Sequence, residues 1–359
     1  MTKVAIITDT HFGVRADSPV FHEYFERSFR WFFTELEKQN IGHIIHLGDL
    51  FDRRKYLNYV TSKVCRESFL APIESLGIDT HIICGNHDVY WKNTNDVNSL
   101  SEIVSGKYDY IKTYSEPALI SIGGLDIQLI PWINSSNYEH CHDTIKTSKS
   151  DILMGHFEIN GFELFRGVMS NHGDDKEMYN RFDKVLSGHY HHKSSVGNIH
   201  YLGSFMEHTW ADYNDPRGFH ILDTNTRELE YYSNPHVIFK MISYDDEKHK
   251  DIVEKIVKKN YDEYKDCYVK IVCVSRTNPY AFDLLLDKLY KVGPVDISVV
   301  EDMNAIIDNA ENDEIDQSQD TPSILSSYIS GLTLTVNPDK MIDYMKDVYS
   351  EALQQEHVE

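Results

Sequence analysis

The sequence predicts an α/β protein with a two-layer β-sandwich core flanked by helices, followed by a small α+β domain and a C-terminal helical tail. Three observations lead to this fold class. Short β-branched runs alternate with helical stretches over the first 230 residues. Residues 234–300 repeat a compact β-α-β-α-β order, and an amphipathic stretch follows near the end of the sequence. A length of 359 residues also suits two domains with an appended tail.

The first half of the core is predicted from apolar runs and two helices. Three runs predict buried strands: VAIIT (4–8), HIIHL (43–47) and THIIC (80–84). Large apolar side chains recur at helical spacing from Val20 to Gln39, which predicts a long helix covering the sheet. A polar helix is expected near residues 56–75, ended by Gly77. The β-α-β-α-β order predicts parallel pairing of the three strands.

The second half of the core begins with a predicted hairpin. Residues 118–122 and 125–131 flank Gly123 and Gly124, and two glycines suit a tight turn between antiparallel strands. Four further runs predict strands, which we expect in the second layer: DILMG (151–155), KVLSG (184–188), HYLG (200–203) and GFHILD (218–223).

The smaller domain and the tail follow after Pro235. The predicted elements are strands at 236–242, 267–274 and 295–300 and helices at 245–264 and 279–292. We therefore expect a core domain over 1–233, a small βαβαβ domain over 234–300, a linker over 301–322 and a C-terminal segment over 323–359. The linker holds eight acidic groups and no basic group, which favours a solvated segment.

An amphipathic helix is predicted over residues 339–355. Met341, Met345, Val348 and Ala352 lie on one helical stripe. Such a helix folds back on its own chain or docks on another one, and the sequence leaves both possibilities open.

Composition excludes some classes of protein. With 41% hydrophobic residues the chain can build a core, and no run approaches the roughly 18 apolar residues of a membrane span. The five cysteines form no C-x-x-C pair, so we expect free thiols and a cytoplasmic protein. A net charge of -22 argues against nucleic-acid binding, but residues 301–359 alone carry -12 of it, so net charge does not decide the function.

Five blocks share one layout, in which an apolar strand ends in small and polar residues. They are VAIITDTHFG, HIIHLGDLFD, HIICGNHDVY, DILMGHFEI and KVLSGHYHHK. Ligands collect at the carboxyl ends of strands in open α/β sheets, so the blocks predict one shared site. Each block alone is a weak signal, because an aspartate or histidine in a turn also serves as a cap.

The polar side chains of these blocks predict a metal centre. The candidate ligands are Asp9, His11, Asp49, Asn86, His156, His189 and His191. Their oxygens and imidazole nitrogens suit manganese, iron or zinc better than calcium. Seven donors exceed the need of one tetrahedral ion, whereas two ions sharing a carboxylate would use them all. Paired metal ions typically serve phosphoester hydrolysis.

The spacing within these blocks resembles the calcineurin-like metallophosphoesterases. The matching motifs are Asp9-x-His11, Gly48-Asp49-x-x-Asp52, Gly85-Asn86-His87-Asp88, Gly155-His156 and Gly188-His189-x-His191. More narrowly, the chain is similar to nuclease subunits of the SbcD type, from double-strand-break repair complexes, and to their counterparts in T-even-like bacteriophages. That similarity rests on Arg53-Arg54-Lys55 after GDLFD, on Tyr201-x-Gly203-Ser204, on the small domain and on the terminal helix.

The resemblance implies roles for individual residues. Asp9, His11, Asp49 and His191 would hold one ion. Asp49, Asn86, His156 and His189 would hold the other, with Asp49 bridging. Two manganese ions are expected, with magnesium, iron and zinc as alternatives. His87 would be the general acid that protonates the leaving sugar oxygen. Many relatives carry histidine at the position of Asp52, which leaves the role of Asp52 open.

The resemblance also implies an activity and partners. The expected activity is duplex-DNA exonuclease and single-stranded-DNA endonuclease, acting with an SbcC-like coiled-coil ATPase of the SMC type that receives the terminal helix. The resemblance further implies a homodimer of this chain within a heterotetramer. It also implies that the small domain caps the site and binds DNA. The alternatives are a phosphoprotein or nucleotide phosphoesterase on the same scaffold and a non-catalytic scaffold for the ATPase.

Other candidate residues have simpler interpretations. His192 is expected at the surface, and His43, His46 and His81 are expected to be packed or hydrogen-bonded. His140, Cys141 and His142 lack the partners that a metal site needs. Five basic residues have two equally favoured interpretations, contact with a DNA backbone or a solvated helix face: Arg53, Arg54, Lys55, Lys63 and Arg66.

Overall fold

The computed structural model describes residues 2–165, 168–170, 172–248, 251–301 and 340–341. Residues 1–301 form one compact unit. Of the predicted linker and terminal helix, only Glu301 and the helical pair Lys340 and Met341 are described, so both predictions lie almost entirely outside the described residues. In the described part of the chain, no helix combines the length and apolar character needed to cross a membrane.

The strands in chain order are β1 (Lys3–Ile7), β2 (His43–His46), β3 (Asp79–Ile83), β4 (Ile111–Tyr114), β5 (Ala118–Ile122), β6 (Leu125–Ile130), β7 (Ile152–Gly155), β8 (Glu163–Phe165), β9 (Val168–Met169), β10 (Lys184–Ser187), β11 (Ser194–Val196), β12 (Ile199–Tyr201), β13 (Gly218–Asp223), β14 (Leu229–Ser233), β15 (Phe239–Asp245), β16 (Tyr268–Ser275) and β17 (Asp296–Val300). The α-helices are α1 (Val14–Asp17), α2 (Pro19–Gln39), α3 (Tyr59–Cys65), α4 (Ala71–Leu76), α5 (Tyr138–Thr147), α6 (Ile252–Lys258) and α7 (Pro279–Val292).

Two six-stranded sheets form the core, which confirms the predicted two-layer α/β fold. The first sheet has the order β14-β13-β1-β2-β3-β4, and β1 to β4 run parallel. The second has the order β11-β12-β10-β7-β6-β5. Side chains alternate across β1, because successive residues of a strand point to opposite faces. Val4 and Ile6 pack between the sheets, whereas Ala5 and Ile7 pack in the cluster that holds α2.

One predicted strand lies in the other sheet. Residues 218–223 were expected in the second layer, and this prediction is wrong, because β13 pairs antiparallel with β1 in the first sheet. Leu222 packs between the sheets while Phe219 packs with the aromatic side chains of α2. Since both faces of β13 are buried, its apolar run carries no periodicity that could assign it to a sheet.

The helices and turns follow the local signals. The aromatic stripe of α2 is core, with Phe21, Phe25, Phe29 and Phe32 completely buried. The polar helix predicted near 56–75 comprises α3, a π-helical turn at Arg66–Leu70 and α4, and Gly77 ends it in the left-handed conformation. Gly123 and Gly124 have φ of 58° and 81°, as the tight turn of the β5–β6 hairpin requires.

The smaller sheet has the order β15-β16-β17 with parallel pairing, and α6 and α7 share its apolar core. Its βαβαβ order agrees with the prediction for residues 234–300, although α6 is shorter than the predicted 245–264 helix. This sheet belongs to the same compact unit as the two large sheets. Phe239 of β15 packs against Phe21 of α2 and against Trp210.

Candidate metal centre

The seven candidate ligands follow five strands that end at one rim of the two sheets. Asp9 and His11 follow β1, Asp49 follows β2 and Asn86 follows β3 in the first sheet. His156 follows β7, and His189 and His191 follow β10 in the second sheet. Parallel strands present their carboxyl ends at the same edge, so side chains that are far apart in sequence meet there.

The backbone of the site is unusual at four of these residues. Asp9, His11, Asp49 and His189 have φ of 51°, 48°, 57° and 83°, in the left-handed region. Residues other than glycine rarely adopt this conformation, and it is found where surrounding structure enforces it at functional sites. Hydrogen bonds enforce it here: the Asp9 amide donates to the Gly48 carbonyl at 3.1 Å, and the His189 amide donates to the Asp9 carboxylate at 3.1 Å.

The group predicted for the second ion is tightly clustered. The Asn86 Oδ1 atom lies 2.9 Å from His156 Nε2 and 2.9 Å from His189 Nδ1. His156 Nε2 is also 3.3 Å from Asp49 Oδ2. The other ring nitrogen, His156 Nδ1, is 2.7 Å from the Leu47 carbonyl oxygen, which fixes the orientation of the ring.

The group predicted for the first ion is more open. His11 Nε2 is 3.1 Å from His191 Nε2 and 3.6 Å from Asp49 Oδ2. His191 Nε2 lies 3.9 Å from Asp9 Oδ1. Asp49 Oδ2 therefore contacts both groups, as a carboxylate shared by two ions requires.

The electrostatics of the site favour a bound cation. Burial raises the pKa of Asp9 to about 7, and the nearby Asp49 carboxylate adds to the effect. Burial alone would lower the pKa of His156, but the contact with Asp49 outweighs it and raises the value to about 9. The two buried carboxylates thus favour the protonated, positively charged form of His156. A bound metal ion would supply positive charge in place of that proton.

The donor set fits divalent metal ions. The seven ligands offer carboxylate, amide and imidazole atoms without a thiolate, and all but His189 and His191 are nearly inaccessible to solvent. The buried Nδ1 atom of His11 has no hydrogen-bond partner among the described residues. Three residues that could hold one ion, Asp9, Asp49 and His156, have ligand atoms within 4.8 Å of one another.

His87 stands beside the centre and is only partly buried. Its backbone amide donates to Asp49 Oδ1 at 2.7 Å, and its ring meets that of His11 edge to face at 4.7 Å between centroids. His87 Nδ1 is 2.6 Å from the Asp52 carbonyl oxygen, so Nδ1 carries the hydrogen and Nε2 remains available for proton exchange. Asp52 Oδ1 lies 3.6 Å from His11 Nδ1.

Two residues of the centre were not predicted from the sequence. Asp88 Oδ2 accepts hydrogen bonds from the amides of Asp49 at 2.9 Å and Gly85 at 3.0 Å, joining the turns after β2 and β3. His208 is buried with its ring 5.1 Å from that of His11. Asp88 could have been suspected from its place in the GNHD block, whereas nothing in the sequence around His208 marks it.

Two glycines are required by close approach. A Cβ atom on Gly85 would lie 2.1 Å from Asp49 Oδ1, and one on Gly188 would lie 2.1 Å from Thr8 Oγ1. Both distances are far below van der Waals contact, so only glycine allows the turns to meet at the metal ligands.

Three of the histidines outside the candidate ligand set have protein partners. His192, expected at the surface, is partly exposed and lies between Asp215 at 2.8 Å and Glu163 at 3.3 Å. His46 lies 3.0 Å from the Thr10 hydroxyl and His81 lies 2.7 Å from the Tyr114 hydroxyl, in agreement with their expected hydrogen-bonded roles.

The other doubtful residues also have protein partners. His142 lies 3.3 Å from Asp174, and the neighbouring Cys141 is fully buried. In the part of the chain that the structure describes, neither belongs to a group able to hold a metal. Arg53 pairs with Asp17 at 3.0 Å, so part of its charge is already neutralised.

Comparison with known proteins identifies relatives over the whole chain. Exonuclease subunit 1 of Enterobacteria phage T4 is 29% identical over 355 residues, covering 98% of this chain and all of the relative. The SbcD subunit of the SbcCD nuclease of Staphylococcus saprophyticus is 23% identical, covering 86% of this chain and 88% of the relative. Its counterpart in Staphylococcus epidermidis is 24% identical, covering 92% of this chain and 93% of the relative.

The family assignment rests on the part of the chain that holds the candidate ligands. The calcineurin-like phosphoesterase family matches residues 2–193, which is more than half of the chain and spans all five blocks. Members of this family use divalent metals, and the buried oxygen and nitrogen donors of the site agree with that use. The chain therefore belongs to the calcineurin-like phosphoesterase family.

Proposed function

We propose that the protein is a dinuclear-metal-dependent DNA nuclease that works with an SMC-like ATPase in recombination and double-strand-break repair. The observation that carries the proposal is that seven residues with oxygen and nitrogen donors, Asp49 among them, follow strands that end at one rim of the two sheets, with His87 beside them. Its full-length relatives are an exonuclease subunit and SbcCD nuclease subunits, which supports DNA as the substrate. The proposed activity is exonuclease on duplex DNA and endonuclease on single strands.

The proposed centre holds two manganese ions. One proposed ion is held by Asp9, His11, Asp49 and His191. The other is held by Asp49, Asn86, His156 and His189, so that Asp49 is shared by both ions. When bound, a pair of divalent ions polarises a phosphate ester and activates water near neutral pH. A mixed oxygen and imidazole donor set supports manganese, iron or zinc over calcium.

His87 is the proposed general acid. Its Nδ1–H donates to the Asp52 carbonyl, and its backbone amide donates to Asp49, so the ring is held beside the proposed ligands. A second proton on Nε2 can then pass to the leaving sugar oxygen. A positioned acid of this kind contributes about 10²–10⁴-fold in rate.

The proposed partner is a coiled-coil ATPase of the SbcC type. The relatives are named as subunits of larger nucleases, which supports an obligate partner. Residues 323–359, with the amphipathic pattern over 339–355, are the proposed docking segment. The proposed assembly contains two copies of this chain and two of the ATPase.

A digestion experiment tests the activity. Purified protein is incubated with linear duplex DNA and with circular single-stranded DNA in manganese buffer, alongside Asp49→Asn and the control Asp79→Asn, which alters a carboxylate outside the centre. We expect cleavage of both substrates by the wild type and the control, and at least about 10²-fold slower cleavage by Asp49→Asn.

Two outcomes would contradict the proposal. Faster turnover of a small nucleotide or phosphoprotein substrate than of DNA would favour another phosphoesterase on the same scaffold. Wild-type protein that binds the ATPase but cleaves nothing in manganese, magnesium, iron or zinc would indicate a non-catalytic scaffold.

A further inference from the structure

A third histidine faces the more open half of the centre. His208 lies in the segment between β12 and β13, far in sequence from the five blocks, and only 2% of it is exposed. Its ring centroid is 5.1 Å from that of His11 and 5.3 Å from that of His191. One ring nitrogen from each of the three histidines lies within 4.8 Å of the other two.

The main chain, not the ring, anchors His208. Its backbone amide donates to Asp212 Oδ2 at 2.6 Å, and its carbonyl accepts from Arg15 Nε at 3.1 Å. Asp212 is held in turn by an ion pair with Arg217, which also pairs with Asp215 at 3.1 Å. The two carboxylates offset the guanidinium charge, so Arg217 does not leave an uncompensated cation next to the centre.

The ring nitrogens of His208 are both buried without a hydrogen-bond partner within the described residues. The backbone of Thr10 lies near the ring and favours a hydrogen on one ring nitrogen, which leaves the other nitrogen to accept a cation. Leaving a buried polar group unsatisfied is destabilising, so a ring that only filled space would be better replaced by an apolar one. A bound cation would use one of these nitrogens.

The geometry points to His208 as an additional imidazole ligand of the ion held by His11 and His191, an inference that rests on the proposed metal centre. Nitrogen ligands bind such ions at about 2.0–2.1 Å, so ligands of one ion lie roughly 3–4.3 Å apart. The observed limit of 4.8 Å is within a small side-chain movement of that range. His208 is therefore an ion-binding residue outside the five blocks.

This ligand would determine which ion the site prefers. Imidazole suits zinc, iron and other borderline ions, whereas magnesium prefers oxygen ligands and water. Raising the number of imidazoles on this ion from two to three therefore favours cobalt, iron and zinc over magnesium. This preference does not extend to the second ion, because its proposed ligand set contains Asn86 and does not contain His208.

Cobalt titration of the full-length protein tests the inference. Calorimetry measures the binding of Co(II) and of Mg(II) to four metal-free proteins: the wild type, His208→Ala, His208→Gln and the control His220→Ala. The visible spectrum of bound Co(II) is recorded for each protein. His220 is an equally buried histidine on β13 beside Tyr231. We expect both His208 variants to bind one of two Co(II) ions about 10–100-fold more weakly, with an altered spectrum and little change in Mg(II) affinity.

The outcomes separate the inference from the proposed function. Wild-type Co(II) affinity and spectrum in both His208 variants would overturn the ligand role of His208 and leave the two-ion centre intact. Wild-type protein that binds no Co(II) would remove the centre itself. If circular dichroism shows that His208→Ala does not fold, the result of His208→Gln, which preserves side-chain bulk, decides.

Discussion

At the scale of single residues, burial determines which chemistry each ionisable side chain can perform. The Asp9 carboxyl group is fully buried, and this raises its pKa to about 7, so the metal-free site resists full ionisation. Asp49 is also buried, yet neighbouring His156 and His87 hold its pKa well below the ordinary value. Of Asp9 and Asp49, Asp49 therefore has the more readily ionised carboxyl group, which suits a ligand shared by two ions.

The role of His87 gives the first prediction. His87→Ala should slow DNA cleavage by about 10²–10⁴-fold, because the leaving oxygen loses its proton donor. Metal affinity, measured by calorimetry, should stay within about threefold of wild type, since His87 lies outside both ligand groups. With a p-nitrophenyl phosphodiester the loss should be much smaller, because that leaving group needs no proton. Equal losses on both substrates would contradict the acid role, and His43→Ala is the control.

The close approach at Gly85 gives the second prediction. Gly85→Ala should weaken metal binding at least about tenfold, because its Cβ atom would lie 2.1 Å from Asp49 Oδ1 and displace the shared ligand. Gly42→Ala is a matched control, since no atom lies within 4 Å of the corresponding Cβ position. Calorimetric titration with manganese measures both variants, and equal affinities would contradict this account of the site.

At the scale of elements, the site depends on how the turns after neighbouring strands are tied together. Asp88 follows β3, but its carboxylate accepts hydrogen bonds from the amides of Asp49 and Phe51, which follow β2. The Ser99 hydroxyl donates to the same carboxylate at 3.0 Å. The Asp88 carboxylate therefore connects the turn after β2 to the turn after β3.

The third prediction concerns this tie. Asp88→Ala should lower the free energy of unfolding by about 3 kcal/mol or more, because several buried amides lose their acceptor at roughly 1–3 kcal/mol each. Urea denaturation measures the change, with the exposed Asp96→Ala as control. Asp88→Asn should cost less, since its amide oxygen can still accept hydrogen bonds. A loss below about 0.5 kcal/mol in Asp88→Ala, typical of surface substitutions, would show that the tie is unimportant.

At the scale of the whole molecule, one buried carboxyl group joins the small sheet to the core. Glu207 Oε2 accepts hydrogen bonds from the amides of Ile238 at 2.7 Å and Phe239 at 3.0 Å, at the start of β15. Burial raises the pKa of Glu207 from 4.5 to about 7, although these amides oppose the change. Attachment of the small sheet therefore involves a group that titrates near neutral pH.

The fourth prediction follows from the sign of this shift. Between pH 4.5 and about 7 the folded protein binds a proton at Glu207 that the unfolded chain has released, so stability falls as pH rises. The slope from this group is about 1.4 kcal/mol per pH unit. Glu207→Gln should remove that slope while keeping an oxygen for both amides. Urea denaturation of both proteins from pH 5 to pH 8 measures the difference, and parallel curves would contradict the prediction.

The fifth prediction concerns the tail. Deleting residues 323–359 should abolish association with the ATPase in a co-purification assay, because the proposed docking helix lies within them. Metal binding should be unchanged, since every candidate ligand of the five blocks precedes residue 192. Retained co-purification would show that the partner binds elsewhere, and substitutions of Met345 and Val348 by lysine provide a second variant that keeps the length of the chain.

Sequence patterns predicted twelve of the seventeen described strands and the candidate ligands, whereas β4, β8, β9, β11 and β14 were not predicted. In each of the five blocks, an apolar run is followed by polar residues within ten positions. This local change in hydrophobicity indicates where a strand ends. Because parallel strands end at one edge, the blocks also predicted that Asp9, Asp49 and His156 would meet. The βαβαβ order of residues 234–300 was equally local, and α7 matches its predicted bounds.

Tertiary structure alone decided what depends on contacts between distant segments. The pairing of β13 with β1 could not be predicted, because a strand buried on both faces has no polar side to identify its layer. The same holds for Asp88, which acts through backbone amides, and for His208, which reaches His11 only after the chain has crossed both sheets. The sequence by itself identified the candidate donors of the proposed centre, and folding decided which further groups surround them, because packing joins residues that no local pattern connects.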